Sequence, residues 1–119
     1  MVGQLRSVVL DCPDPAELAS FYERLLGAER LPGEDDTWVV IVVQGTRIAF
    51  QKAPEYRPPV FPDPHGSQQF HLDVLVEDIE VAESQALELG ARLLQKDTDD
   101  TFRVYLDPVG HPFCLMWLP

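Results

Sequence analysis

The chain is short of basic residues, short of cysteine and free of long apolar stretches. Nine lysines and arginines stand against twenty aspartates and glutamates, giving a formal charge of −11. Nucleic-acid binders need a basic face for phosphate contacts, so the balance argues against that class. It also disfavours polyanionic ligands while permitting neutral and cationic ones. No apolar run approaches the ~20 residues of a membrane span, so no membrane partner is expected. The opening MVGQLRSVV lacks the basic start and small-residue cleavage site of a signal peptide, and a cytoplasmic location is expected. Cys12 and Cys114 are the only cysteines, and neither belongs to a zinc-type CxxC pair. In a reducing cytosol both are free thiols.

What is present is a duplication within 119 residues, a length that suits one domain. The stretch QLRSVVLDCPDPAELASFYERLLGA, from Gln4 to Ala28, has a counterpart in QFHLDVLVEDIEVAESQALELGA, from Gln69 to Ala91. Each begins with a short apolar run, reaches an aspartate, and continues into a helical pattern that stops at Gly-Ala. Leu5–Asp11 reads as a buried strand. Asp14 is a good N-cap, Pro15 suits the first helical position, and Glu17 completes a capping box. Leu18, Phe21, Tyr22 and Leu25 share one helical face, and Gly27 supplies a left-handed stop. A short strand follows at Glu29–Leu31. TWVVIVV and RIAFQK then form a hairpin around Gln44-Gly45.

The second half repeats this plan. Gln69–Val76 reads as a strand, and Asp78 caps a helix with Ile79, Ala82, Ala86 and Leu89 inward, closed by Gly90. RLLQ is a short strand, and FRVYLD, the turn DPVG and FCLMWL form the last hairpin. The expected class is therefore α+β, a single domain of two βαβββ modules spanning residues 4–52 and 67–118. Between them, the five prolines of Ala53–Gly66 forbid a helix and make a stiff linker in which Tyr56, Val60 and Phe61 can still pack. The two modules are expected to pair into a curved mixed sheet with a central cup and the helices outside.

The duplicated βαβββ plan, the HLDV strand that opens the second half and the closing DPVGHPFCL resemble the vicinal oxygen chelate superfamily. That group holds glyoxalase I, extradiol dioxygenases, fosfomycin-resistance transferases and bleomycin-resistance proteins, and the resemblance covers essentially the whole chain. Metal-using members place His or Gln on the first strand of each half and Glu on the last. The corresponding positions here are Ser7, Ala49, His71 and Cys114. Ala49 offers no donor and Ser7 a poor one; Gln51, Asp73 and Met116 lie two residues along the same strand faces. Known metal sites need three or more converging ligands. The resemblance thus implies a cup that has lost its metal, with no cofactor.

Each candidate residue also has a plainer role. His71 is either a satisfied core histidine or a pocket hydrogen-bonding group. Cys114 reads as a small buried hydrophobe rather than a nucleophile. Asp73 is a pocket carboxylate for a cationic ligand or a partner within the sheet. Trp38 and Trp117 lie at equivalent hairpins, Tyr105 on a neighbouring strand, and Tyr56 and Phe61 in the linker; they are core fillers or stacking surfaces for a flat ligand. The acidic clusters Glu34-Asp35-Asp36 and Asp97-Asp99-Asp100 read as solvated turns.

Similarity to the metal-free bleomycin-resistance-like members implies a homodimer that binds a planar aromatic antibiotic or metabolite and sequesters it in a dimer-interface pocket. Two alternatives stand beside it. One is an enzyme, either metal-dependent or using His71 as a general base. The other is a module that binds an ordinary metabolite.

Overall fold

A computed structural model describes residues 1–33, 35–66, 70–96 and 101–119. Glu34, the acidic cluster at Asp97, Asp99 and Asp100, and the expected strand start at Gln69 lie outside the described residues. The chain forms two compact units, Met1–Tyr56 and Arg57–Pro119. Each carries one open four-stranded mixed sheet and one helix, so the α+β class and the βαβββ plan both hold.

The first unit runs β1 (Val8–Cys12), α1 (Pro15–Leu26), β2 (Glu29–Arg30), β3 (Trp38–Val43) and β4 (Thr46–Lys52). Its strand order is β1-β4-β3-β2, with β1 parallel to β4 and the other pairs antiparallel. Asp14 caps α1, its carboxylate accepting the Glu17 N–H at 3.3 Å, and Gly27 ends it with φ +66°. Gln44 and Gly45, at φ +50° and +77°, give the left-handed pair that a two-residue hairpin turn requires. Tyr22 stacks on Phe50 at 5.6 Å between ring centres, joining α1 to the sheet. Each such buried ring contributes roughly 1.5–3 kcal/mol of apolar burial. The first strand starts three residues later than expected. Leu5 is exposed, and β1 is an edge strand whose pairing with β4 begins at Val8 and Ile48.

The second unit runs β5 (Leu72–Leu75), α2 (Ile79–Glu88), β6 (Arg92–Gln95), β7 (Phe102–Leu106) and β8 (Pro112–Met116), in the order β5-β8-β7-β6. Asp78 caps α2 with bonds from the N–H groups of Glu80 and Val81. On the expected inner face of α2, Ala86 is fully buried, while Ile79, Ala82 and Leu89 are half-buried. In the turn between β7 and β8, the buried Asp107 carboxylate accepts from the N–H groups of Val109 and His111 and from His111 Nδ1, at 2.7–2.9 Å. Three donors satisfy a charge that burial alone would make unfavourable. Gly110 closes this turn at φ +101°, with Pro58 so near that a Cβ on Gly110 would meet the Pro58 Cβ at 2.7 Å. Part of the proline segment is thus built into the second unit.

Candidate functional site

Side chains alternate across a strand, so each sheet has a helix face and an open face. On the second sheet the register settles which residues share the open face. Asp73 lies opposite Cys114, Leu75 opposite Met116, Val104 opposite Cys114 and Phe102 opposite Met116. These strands wall a cavity of about 440 Å³. Phe61, Phe102, Val104 and Met116 give it apolar sides, and His71, Asp73, Gln95, Thr101 and Cys114 supply polar atoms.

Gln95 reaches this face through an irregularity. Leu93 pairs with Tyr105, yet Gln95 pairs with Val104, so a β-bulge separates them. Regular pairing would set Gln95 opposite Arg103, on the helix side. The extra residue turns it over, as bulges do near functional sites.

The polar atoms are coupled. His71 Nε2 lies 3.1 Å from Asp73 Oδ1. A carboxylate can only accept, so Nε2 carries a proton, and in the uncharged form of the ring Nδ1 is the acceptor. Burial pushes the Cys114 thiol up to about 11, and the Asp73 charge and a hydrogen bond to that carboxylate add to the effect. The thiol is therefore protonated at neutral pH and is a poor nucleophile.

The residues read as site candidates separate cleanly. Phe61, His71, Asp73, Cys114 and Met116 come together on this cavity. Trp117, half-buried just beyond β8, does not line it. Tyr105 does not belong there either, because it lies on the helix face. Its ring is fully buried and stacks on Phe113, and its hydroxyl donates to Glu83 at 2.9 Å. Burial raises its ionisation well above the ordinary tyrosine range, with Glu83 acting in the same direction. Arg103, beside it, pairs with Glu80 and Glu83. Ser7, Trp38, Ala49, Gln51 and Tyr56 belong to the first unit and lie outside this lining. There Ser7 accepts from Arg47 Nε at 3.4 Å, Ala49 is buried without a donor, and Trp38 stands opposite Gln51.

Reading from sequence missed Gln95, Thr101, Phe102 and Val104. The signal for Phe102 and Val104 was available. Setting the last hairpin around its Asp-Pro-x-Gly turn puts Val104 opposite Cys114, and the parity then sends Tyr105 to the helix. Nothing in the sequence marked the bulge that brings Gln95 in.

His71, Asp73 and Cys114 are the only described group of metal-capable side chains, their ligand atoms lying within 4.8 Å of one another. The set does not suit a resident metal. The imidazole and carboxylate are already bonded to each other, and three side chains of mixed type leave a metal short of the roughly four or more donors that zinc and the harder ions take. Magnesium, manganese and iron also favour oxygen and imidazole donors over a thiol.

The pattern that defines the glyoxalase-like domain family matches residues 7–116, and the chain belongs to that family, within the vicinal oxygen chelate superfamily. No curated protein matches it in sequence. Among solved structures, a glyoxalase/bleomycin resistance protein/dioxygenase family enzyme from Burkholderia phytofirmans PsJN is similar at 18% identity and TM-score 0.76, over 98% of this chain and 100% of that one. The fosfomycin resistance protein FosX from Listeria monocytogenes is similar at 14% identity and TM-score 0.73, over 98% and 94%. A glyoxylase/bleomycin resistance protein/dioxygenase domain from Frankia sp. EAN1pec follows at 19% identity and TM-score 0.69, over 100% and 94%. Likeness at these identities shows the fold; what the chain does rests on its own side chains. Among the described residues, no helix is long and apolar enough to cross a membrane.

Proposed function

We propose that this protein binds a small, flat, largely apolar molecule in the second-unit cavity and holds it without chemical change. The cavity itself carries the reading. It measures about 440 Å³, within the ~300–1,000 Å³ usual for small-molecule sites, and sets a few polar atoms among apolar walls. Its one thiol is held protonated, which removes the obvious nucleophile. Family membership and a fosfomycin-resistance neighbour make an antibiotic a reasonable ligand. Resistance would then be stoichiometric, rising with protein level and saturating once drug exceeds sites. The proposal includes a cytoplasmic homodimer with the ligand at the subunit interface.

Native mass spectrometry of the protein with a panel of planar DNA-damaging antibiotics tests binding and dimerisation together. The expected result is one unmodified ligand per chain in a dimer. Recovery of altered ligand in amounts exceeding the protein would replace sequestration with turnover. Elemental analysis should find well under one first-row metal ion per chain; about one, lost in His71→Ala, would overturn the metal-free reading.

One observation favours a second reading. The bond to Asp73 leaves Nδ1 of neutral His71 as a proton acceptor in the cavity wall, the arrangement a general base needs. If turnover is found, His71→Gln should remove most of it while binding persists.

A further inference from the structure

We propose that the second-unit cavity selects cationic aromatic molecules and rejects anions, with Asp73 as the counter-ion. This rests on the binding reading above and adds the charge of the ligand. Of the described residues lining the cavity, Asp73 alone carries a fixed charge, and none is lysine or arginine. Its neighbours His71 and Cys114 present hydrogen-bond donors to that carboxylate.

None of the described lysines and arginines of this unit lines the cavity. Arg103 is on the helix face, in ion pairs with Glu80 and Glu83. Lys96 follows the lining residue Gln95 but does not itself line the cavity. Arg92 stands opposite Leu106, one pair beyond Val104 on the open face, and does not line the cavity. An anion entering here meets a carboxylate and no compensating charge. A cation meets that carboxylate together with Phe61 and Phe102, whose ring faces attract positive charge. The aromatic part of such a ligand fits the apolar wall of Val104 and Met116, while Gln95 and Thr101 offer neutral hydrogen bonds. Asp73 keeps more than half of its side chain in solvent, so its attraction is moderated by water and salt rather than lost. Despite the shared fold, the cavity is thus poorly suited to a phosphonate or a carboxylate.

The test compares 2-naphthylmethylammonium with 2-naphthoate, probes of one ring system and opposite charge. Calorimetric titration is done at pH 8, where imidazoles are ordinarily uncharged. The cation should bind at least about tenfold more tightly, a step of ~1.4 kcal/mol. Asp73→Asn should bring the two affinities within about twofold. The chain's net charge of −11 attracts any cation, so Glu88→Gln, an exposed change on α2, removes the same unit of charge away from the cavity. It should leave the preference intact. Equal affinities, tighter naphthoate, or a preference that survives Asp73→Asn would each overturn the inference while leaving the cavity a binding site. Failure of both probes and of neutral 2-naphthylmethanol would instead sink the binding reading itself.

Discussion

The two units share a frame and differ in what they hang on it. In the first, the open face around the paired edge strand carries Ser7, Val9 and Ala49; in the second, the same register positions carry His71, Asp73 and Cys114. The caps repeat as well, with Asp14 and Asp78 each accepting N–H groups of the first helical turn. The duplicated elements that persist are those that start a helix, reverse a hairpin or fill the helix face. On the open face one copy holds a coupled imidazole, carboxylate and thiol where the other has a hydroxyl and two aliphatic side chains.

The sharpest break between the copies is at their hairpin glycines. Gly45 has open space around a would-be Cβ, whereas Gly110 would drive one into Pro58. Gly110→Ala should lower stability by at least ~3 kcal/mol, combining an unfavourable backbone with a clash. Gly45→Ala should cost about 1 kcal/mol, from backbone alone. Equal shifts in urea midpoint would mean that Pro58 yields freely and the difference between turns is nominal.

Ligand affinity gives the next contrast. Phe102→Ala should weaken 2-naphthylmethylammonium binding about tenfold through loss of a cavity wall. Trp38→Ala, on the first sheet, should change it less than about twofold. If Trp38 matters as much as Phe102, the ligand site extends beyond the second unit, and the titration will show it.

Capping sets a smaller difference. Asp78 accepts two N–H groups at 3.0 and 3.3 Å, while Asp14 accepts one at 3.3 Å. Asp78→Ala should cost ~1 kcal/mol and Asp14→Ala nearer ~0.5 kcal/mol, with ligand affinity unchanged in both. Thermal melts that rank the variants the other way would assign more of the cap energy to the first module.

The smallest effect is in alkaline solution. Cys114 titrates near 11 when folded, above its ordinary thiol range, so the native state holds a proton that the unfolded chain releases. Its contribution is complete below about pH 8.5 and is lost as pH climbs toward the folded value. The melting temperature should therefore fall between pH 8.5 and 10.5, and Cys114→Ala should flatten that slope. An unchanged slope would place the titrating group elsewhere.

Much of this frame was legible from sequence because its signals are local. A cap needs an aspartate before a helix, and a tight turn needs Gln44-Gly45. The open face was harder. Tyr105 read equally as a core filler or a stacking surface, and only strand parity decides, sending it to α2 beside Arg103. Gln95 was invisible because a bulge changes parity without any residue to announce it. The start of β1 was set too early because an apolar run reveals preference for a strand, while the pairing that defines the strand begins only at Val8 and Ile48.

The parallel pairing of first and last strands in each unit also orders events in time. Val8 must wait for Ile48, and Leu72 for Phe113, before either edge is secured. As the chain leaves the ribosome, the first helix can form while β1 remains unclaimed. Its docking is a long-loop closure, made only when β4 has emerged. Within its four-stranded sheet, and among the described residues, the same strand stands at the edge. Amide exchange should therefore run faster at β1 and β5 than at the inner strands they pair with, β4 and β8, marking these edges as late to settle and early to open.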